Sequence, residues 1–118
     1  MRYFLTLIIT LFSTLVSNGQ DNLVKHEKIK KEELIVIDVR TPEEYNNGHI
    51  EGAILLPYNE LSQKIGDIIK DKDKAVALYC RSGSRSGVAL RAMISMGYTN
   101  AVNYGGYDNA KRILDSKK

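Results

Sequence analysis

The chain has 118 residues, 43% hydrophobic and 26% charged, with a formal net charge of +3 at pH 7. So weak a charge, mixed in sign along the chain, argues against a nucleic-acid surface, and the lysines at "KHEKIKK" (25–31) and "DSKK" (115–118) read as solvated ends. One cysteine, Cys80, and two histidines, His26 and His49, lack the paired spacing of a metal site, and no cofactor motif stands out.

In chain order, residues 1–19 come first: Arg2, an apolar run from Tyr3 to Val16, then small and polar residues, the layout of a secretory signal peptide. The run is shorter than the roughly 20 residues that span a bilayer, so a cleaved signal is favoured over a membrane anchor. Ser17 and Gly19 are small and two apart, which places the cut after Gly19 and predicts an exported, periplasmic or secreted, protein. Residues 20–118 then form one domain with its core at about 33–115. Exported chains usually spend cysteines in pairs, and Cys80 has no internal partner.

Glu33–Val39 is a short apolar run fit for a buried strand. Thr41 as cap, Pro42 at the first position, Glu43 and Glu44 in the first turn and Gly48 as the stop predict a helix. Ala53–Pro57 is a second strand. Leu61, Ile65, Ile68 and Ile69 follow at helical spacing, with Asn59 as the cap. Residues 74–80 are a third strand, apolar on both faces. Residues 86–98 predict a helix turning Val88, Leu90, Ala92, Met93 and Met96 inward and stopping at Gly97. Residues 100–106 are a fourth strand and 107–118 a last helix. The alternation predicts an α/β fold: a small, mainly parallel sheet with helices on both faces, binding ligands beyond the carboxyl ends of its strands.

"CRSGSRS", residues 80–86, lies at such an end, leaving the third strand and opening a helix. Cys80 is either a small buried residue ending a strand or a nucleophile in an anion cradle. A free cysteine is mostly protonated at neutral pH, with a pKa of roughly 8.5. Amides turning into a helix, the helix N-terminus, and the fixed charges of Arg81 and Arg85 all favour the thiolate. Gly83 and Gly87 free the backbone to aim amides inward, and Ser82, Ser84 and Ser86 add hydroxyls. The composition favours the nucleophile and predicts a Cys80 pKa below the free value.

The same loop resembles the active-site loop of rhodanese-family sulfurtransferases: cysteine, four residues, a basic residue, then serine. "IDVRTPEEYNNGHIEGAILLP" is similar to the family's N-terminal signature, through Asp38, Arg40, Glu44, Tyr45, Gly48, His49, Ile50, Gly52 and Ala53. "MGYTNAVNYGGYDNA" resembles its closing motif, through Gly97, Tyr98, Val102, Gly105 and Gly106, with Tyr107 where the family often has tryptophan. The likeness spans about Glu33 to Lys111. It implies a single-domain, exported, thiosulfate sulfurtransferase-like enzyme that moves sulfane sulfur through a Cys80 persulfide. A small anionic donor such as thiosulfate supplies the sulfur, and a thiol or cyanide, or a protein acceptor, takes it. Arg81, Ser82, Gly83, Ser84, Arg85 and Ser86 bind the substrate, and Asp38 and Arg40 brace the site through an ion pair.

Three rival readings stand beside this one. A cysteine phosphatase uses a loop one residue longer, with five residues between cysteine and arginine. Arsenate reduction needs a second, resolving thiol. A sulfur carrier or interaction module serving a partner protein would keep the same loop. Among the other singled-out residues, His49 reads as a turn histidine bonded to backbone. Tyr79 and Tyr104 read as core or rim, Tyr107 as packing or pocket lining, and Met93 and Met96 as core.

Overall fold

A computed structural model describes residues 23–117. The expected signal segment, 1–19, and its cut after Gly19 lie outside them. Among the described residues no helix is long and apolar enough to cross a membrane.

Four parallel strands make one sheet: β1 (Ile35–Asp38), β2 (Ile54–Leu55), β3 (Val76–Cys80) and β4 (Ala101–Gly106), in spatial order β2-β1-β3-β4. Four helices connect or follow them: α1 (Pro42–Asn46), α2 (Leu61–Ile68), α3 (Ser84–Ser95) and α4 (Tyr107–Asp115). The expected α/β architecture is present.

Alternation along β1, β3 and β4 decides what lies on each face. Ile37, Val76, Leu78 and Cys80 turn toward α2 and α3, where Leu61, Ile65, Ala89, Leu90 and Met93 close one core. Val36, Ala77, Tyr79, Val102 and Tyr104 turn the other way, against Ala110 and Leu114 of α4. The chain leaves β1 toward one edge of the sheet and β3 toward the other. Between their carboxyl ends is the switch point where parallel sheets leave a crevice, and Cys80 is the last residue of β3.

Several local expectations are corrected. β1 starts at Ile35 because Lys31–Glu33 is a 3-10 turn, in which the Glu33 carboxylate accepts from the Lys30 amide at 3.0 Å. Glu60, not Asn59, holds the cap position of α2 and makes no side-chain cap bond; its carboxylate pairs with Lys64 at 2.6 Å. Leu61, Ile65 and Ile69 share the buried face of α2, which leaves Ile68 on its flank and 39% exposed. α3 begins at Ser84, two residues early, and buries Ser86, Ala89, Leu90 and Met93. Val88 falls outside that stripe and is 42% exposed.

The ends are not wholly solvated either. His26 is buried, its ring bridging the Tyr104 hydroxyl at 2.9 Å and the Asn100 carbonyl at 3.0 Å. Lys117 Nζ donates to the carbonyls of His26 and Ile29, at 2.5 and 2.8 Å. The packed body therefore begins before residue 33.

Candidate active site

The last turn of β3 and the first turn of α3 form the loop 80–86. Cys80 is 1% exposed, and its side chain lies on the α3 side of the sheet. The Gly83 amide donates to Sγ at 2.9 Å, and the Ser86 hydroxyl lies 3.4 Å from it. Burial pushes the thiol's pKa up. Hydrogen bonds from the Ser86 side chain and from the Ser86, Gly83 and Ser82 amides outweigh it, and the net shift is downward. The expected direction is present, and close hydrogen-bond donors carry it.

The backbone can aim those amides because of two glycines. Gly83 has φ of 102°, in the left-handed region, and directly precedes α3. Gly106 pairs with Cys80 in register and with Ser82 through an isolated bridge. A Cβ at Gly106 would lie 2.5 Å from the Arg81 carbonyl oxygen, so only glycine lets β4 come this close.

Ser86 is fully buried and has one hydroxyl proton for three acceptors. Asn103 Oδ1 is at 2.7 Å, the Gly83 carbonyl at 3.1 Å and Cys80 Sγ at 3.4 Å. Asn103 in turn donates to the Gly83 carbonyl and accepts from the Gly105 amide, at 3.1 and 2.8 Å. Ser82 and Ser84 are exposed at the rim, their hydroxyls 3.5 Å apart.

The two arginines of the loop differ. Arg85 makes two parallel bonds to Glu44 of α1, at 2.9 and 3.1 Å. This pair joins the helix after β1 to the helix after β3, across the switch point. Arg85 holds the Glu44 carboxyl down at about 2, with help from the Thr41 amide, while the Thr41 hydroxyl and the Glu44 amide complete a capping box. Arg81 is exposed, and no ion pair or hydrogen bond holds its side chain among the described residues.

Asp38 and Arg40 lie beside the loop but on the opposite face from Cys80. Arg40 Nε donates to both Asp38 oxygens, at 2.9 and 3.0 Å, and Nη2 donates to Oδ2 at 2.7 Å. Nη2 also reaches the Gly48 carbonyl at 2.7 Å. The Tyr79 hydroxyl donates to Asp38 Oδ2 at 2.7 Å and accepts from the Ile50 amide at 3.0 Å. The guanidinium lies 5.5 Å from the Tyr79 ring centre and 5.1 Å from that of Tyr107. His49 Nδ1 donates to the Tyr45 carbonyl at 2.8 Å, and its ring stacks on Tyr45 at 3.6 Å.

A cleft of about 470 Å³ opens at the rim, between α1, the loop and the start of α4. Arg40, Glu44, Asn47, Arg81, Tyr107 and Asp108 are among the residues lining it. Glu44 and Asn103 are the partners that a reading of the loop alone misses. Glu44 carried a signal, since it belongs to the N-terminal signature. Asn103 carried none beyond its place near the end of β4.

A rhodanese-like domain family model matches residues 23–112. Thiosulfate sulfurtransferase PspE of Escherichia coli is 43% identical over 70 residues, 59% of this chain and 67% of that protein. Thiosulfate:glutathione sulfurtransferase of Saccharomyces cerevisiae is 34% identical over 87 residues, 64% of this chain and 63% of that protein. Among solved structures, an E. coli rhodanese with anions superposes with a TM-score of 0.63 at 39% identity, covering 64% of this chain and 89% of that one.

Proposed function

Since this chain belongs to the rhodanese-like domain family, as a rhodanese-type enzyme, we propose that it takes sulfane sulfur from thiosulfate or a similar anion onto Cys80 and passes it to a thiophilic acceptor. The observation that carries this reading is the Cys80 sulfur held against the Gly83 amide at 2.9 Å, inside a loop whose donors lower its pKa.

The proposed steps make use of those contacts. The Cys80 thiolate attacks the outer sulfur of thiosulfate, a Cys80–sulfur bond forms, and the donor's S–S bond breaks with its electron pair leaving on sulfite. The products are a Cys80 persulfide anion and sulfite, so charge and atoms balance. A lowered thiol pKa reduces the need for a general base. The groups on both sides of the step are anionic, and a preorganised set of donors is the main catalytic requirement. The amides of Ser82, Gly83 and Ser86 hold sulfur charge, and Arg85 and Arg81 face the sulfonate. Glu44 keeps Arg85 in one orientation. Four residues separate Cys80 from Arg85, a loop too short for a phosphate ester and sized for sulfur.

Export of the protein rests on the layout of residues 1–19, and cell fractionation tests it. The enzymatic reading is tested by thiosulfate:cyanide sulfurtransferase assays beside intact-mass measurement. Thiocyanate formation, with a mass gain of one sulfur atom that Cys80→Ser abolishes, is expected. A folded protein that gains no sulfur from thiosulfate overturns the reading, and hydrolysis of an aryl phosphate by the same protein would favour the phosphatase.

A further inference from the structure

Asn103 lies opposite Leu78 in register, on the face of the sheet that carries Cys80. Beyond it the register slips: two steps along β3, Leu78 to Cys80, oppose three along β4, Asn103 to Gly106. The extra residue is a bulge, a device that re-aims a side chain. Gly105 has φ of 87°, and its amide turns back to donate to Asn103 Oδ1 at 2.8 Å. Asn103 Nδ2 donates to the Gly83 carbonyl at 3.1 Å. These two bonds fix which end of the side-chain amide is oxygen, since the Gly105 N–H can only donate and the Gly83 carbonyl can only accept. Oδ1 therefore also accepts from the fully buried Ser86 hydroxyl, at 2.7 Å. That is the shortest contact of the hydroxyl; the Gly83 carbonyl is at 3.1 Å and Cys80 Sγ at 3.4 Å.

From this arrangement we propose that Asn103 is a positioning residue for sulfur transfer: it holds the Ser86 proton away from Cys80 and releases it to Sγ when that sulfur carries charge. The proposal rests on the sulfur-transfer reading above and names the group that governs one of its donors. A hydroxyl has one proton and two lone pairs, and its O–H turns to suit its neighbours. Beside a neutral thiol, the S–H faces the Ser86 oxygen and the Ser86 proton stays on Asn103. Beside a thiolate, the hydroxyl turns to Sγ, and Oδ1 keeps the Gly105 amide as its donor. The turn therefore leaves no buried acceptor unpaired, which is what makes the release inexpensive. In the persulfide the charge moves to the outer sulfur, and the proton returns to Asn103. On discharge the acceptor attacks the outer sulfur, the bond to Sγ breaks, and its electron pair goes to Sγ. The hydroxyl turns again to meet the leaving thiolate. With cyanide the products are thiocyanate and the Cys80 thiolate, so charge and atoms balance.

Two measurements test this, one of which needs no sulfur transfer. The first is the pH midpoint of Cys80 alkylation by iodoacetamide, read with and without Ser86→Ala in three backgrounds: Asn103, Asn103→Leu and Asn103→Asp. Leucine keeps the branched shape and removes the acceptor; aspartate keeps an acceptor and strengthens it. Each comparison holds residue 103 constant, so its effects on loop shape and charge cancel, as do those of Arg85, which faces the thiol from α3, and of Glu44 behind it. Ser86→Ala should raise the midpoint in every background. The rise should be about half a pH unit larger with leucine at 103 than with asparagine, and smaller again with aspartate. Where Asn103→Leu fails to fold, Asn103→Asp, which keeps an oxygen for the Gly105 amide, decides alone. Equal rises in all folded backgrounds overturn the proposal, whether or not sulfur is transferred. The second measurement is single-turnover discharge of the persulfidated proteins by cyanide. Ser86→Ala should slow it by a factor about threefold larger with leucine at 103 than with asparagine, the rate equivalent of that half unit. Equal slowing denies Asn103 its part in the discharge step. Failure of the wild-type protein to form the persulfide refutes the transfer reading and the catalytic part of the proposal with it, while unequal alkylation rises would still uphold the hold of Asn103 on the hydroxyl.

Discussion

Asp38→Asn separates bracing from substrate contact. The substitution keeps one acceptor for the Arg40 amide and Nε. It replaces the other oxygen with an NH₂ group facing Arg40 Nη2, where a carboxylate oxygen stood at 2.7 Å. Arg40 is 7% exposed and Asp38 is fully buried, so water cannot compensate. Removing one partner of a buried pair costs about 3–5 kcal/mol. In a domain of this size each kcal/mol shifts Tm by roughly 4–8 °C, so the melting temperature should fall by at least about 12 °C. A double variant, Asp38→Leu with Arg40→Met, should recover much of that loss, because it leaves no unpaired buried charge. The pair sits on the far face of the sheet from Cys80. The rate of Cys80 alkylation by neutral iodoacetamide, measured well below the melting point, should therefore stay within about twofold of wild type, as expected of sites that share no hydrogen-bond partner. A Tm loss of under about 4 °C, the size expected of an exposed pair, would refute the reasoning. So would a collapse of alkylation in a protein that is still folded.

Ser86→Ala removes the largest of the contacts that lower the Cys80 pKa, so the alkylation profile should move to higher pH and the rate at neutral pH should drop; a profile that stays in place denies the hydroxyl its role. Glu44→Gln should flatten the acid limb of stability. The native carboxyl is held at about 2, below its unfolded value, so its contribution is complete above roughly pH 4.3 and fades as pH falls toward 2. The side chain is about a quarter exposed, so the effect is small, and chemical denaturation between pH 2 and 5 reads it; identical pH slopes in both proteins would show that the pair has no such effect. Gly106→Ala places a Cβ 2.5 Å from the Arg81 carbonyl, so the loop must shift. Persulfide formation should fall by on the order of tenfold or more with far-UV circular dichroism preserved, as misplacement at a reacting centre does; wild-type persulfide yield would show that the loop tolerates the displacement.

The sheet was legible because its central strands are apolar on both faces, and only a strand covered by helices on each side is built so. Residues 76–80 and the β-branched run 35–37 announce themselves for that reason. Boundaries were harder. The start of α3 depends on Gly83 at φ of 102°, and a serine- and glycine-rich stretch reads equally well as a loop for two more residues. Val88 was expected inward as an apolar residue, but the buried stripe runs through Ser86, Ala89, Leu90 and Met93 and leaves it outside. The cap of α2 was misplaced because asparagine is a good cap by type, whereas here the preceding turn puts Glu60 in that position. His26 was illegible among lysines, since its burial depends on Tyr104 and Asn100, more than 70 residues away.

The loop gave up its chemistry from sequence more readily than its geometry, and Glu44 shows why. Its local signal was that of a helix start: Thr41, then Glu44 three residues on, a capping box. The same carboxylate also takes both terminal nitrogens of Arg85, 41 residues later. Only the order of the sheet brings the two together, because β1 and β3 are neighbours although β2 lies between them in sequence. One residue therefore fixes α1 to its own first turn and the Cys80 loop to α1. Arg85 spends two of its donors on that anchor, so the charge it offers the thiol's substrate is a partly neutralised one. The positive charge with no such tether is Arg81, at the mouth of the cleft. The loop's two arginines thus differ in tether, a difference that follows from which of them faces α1.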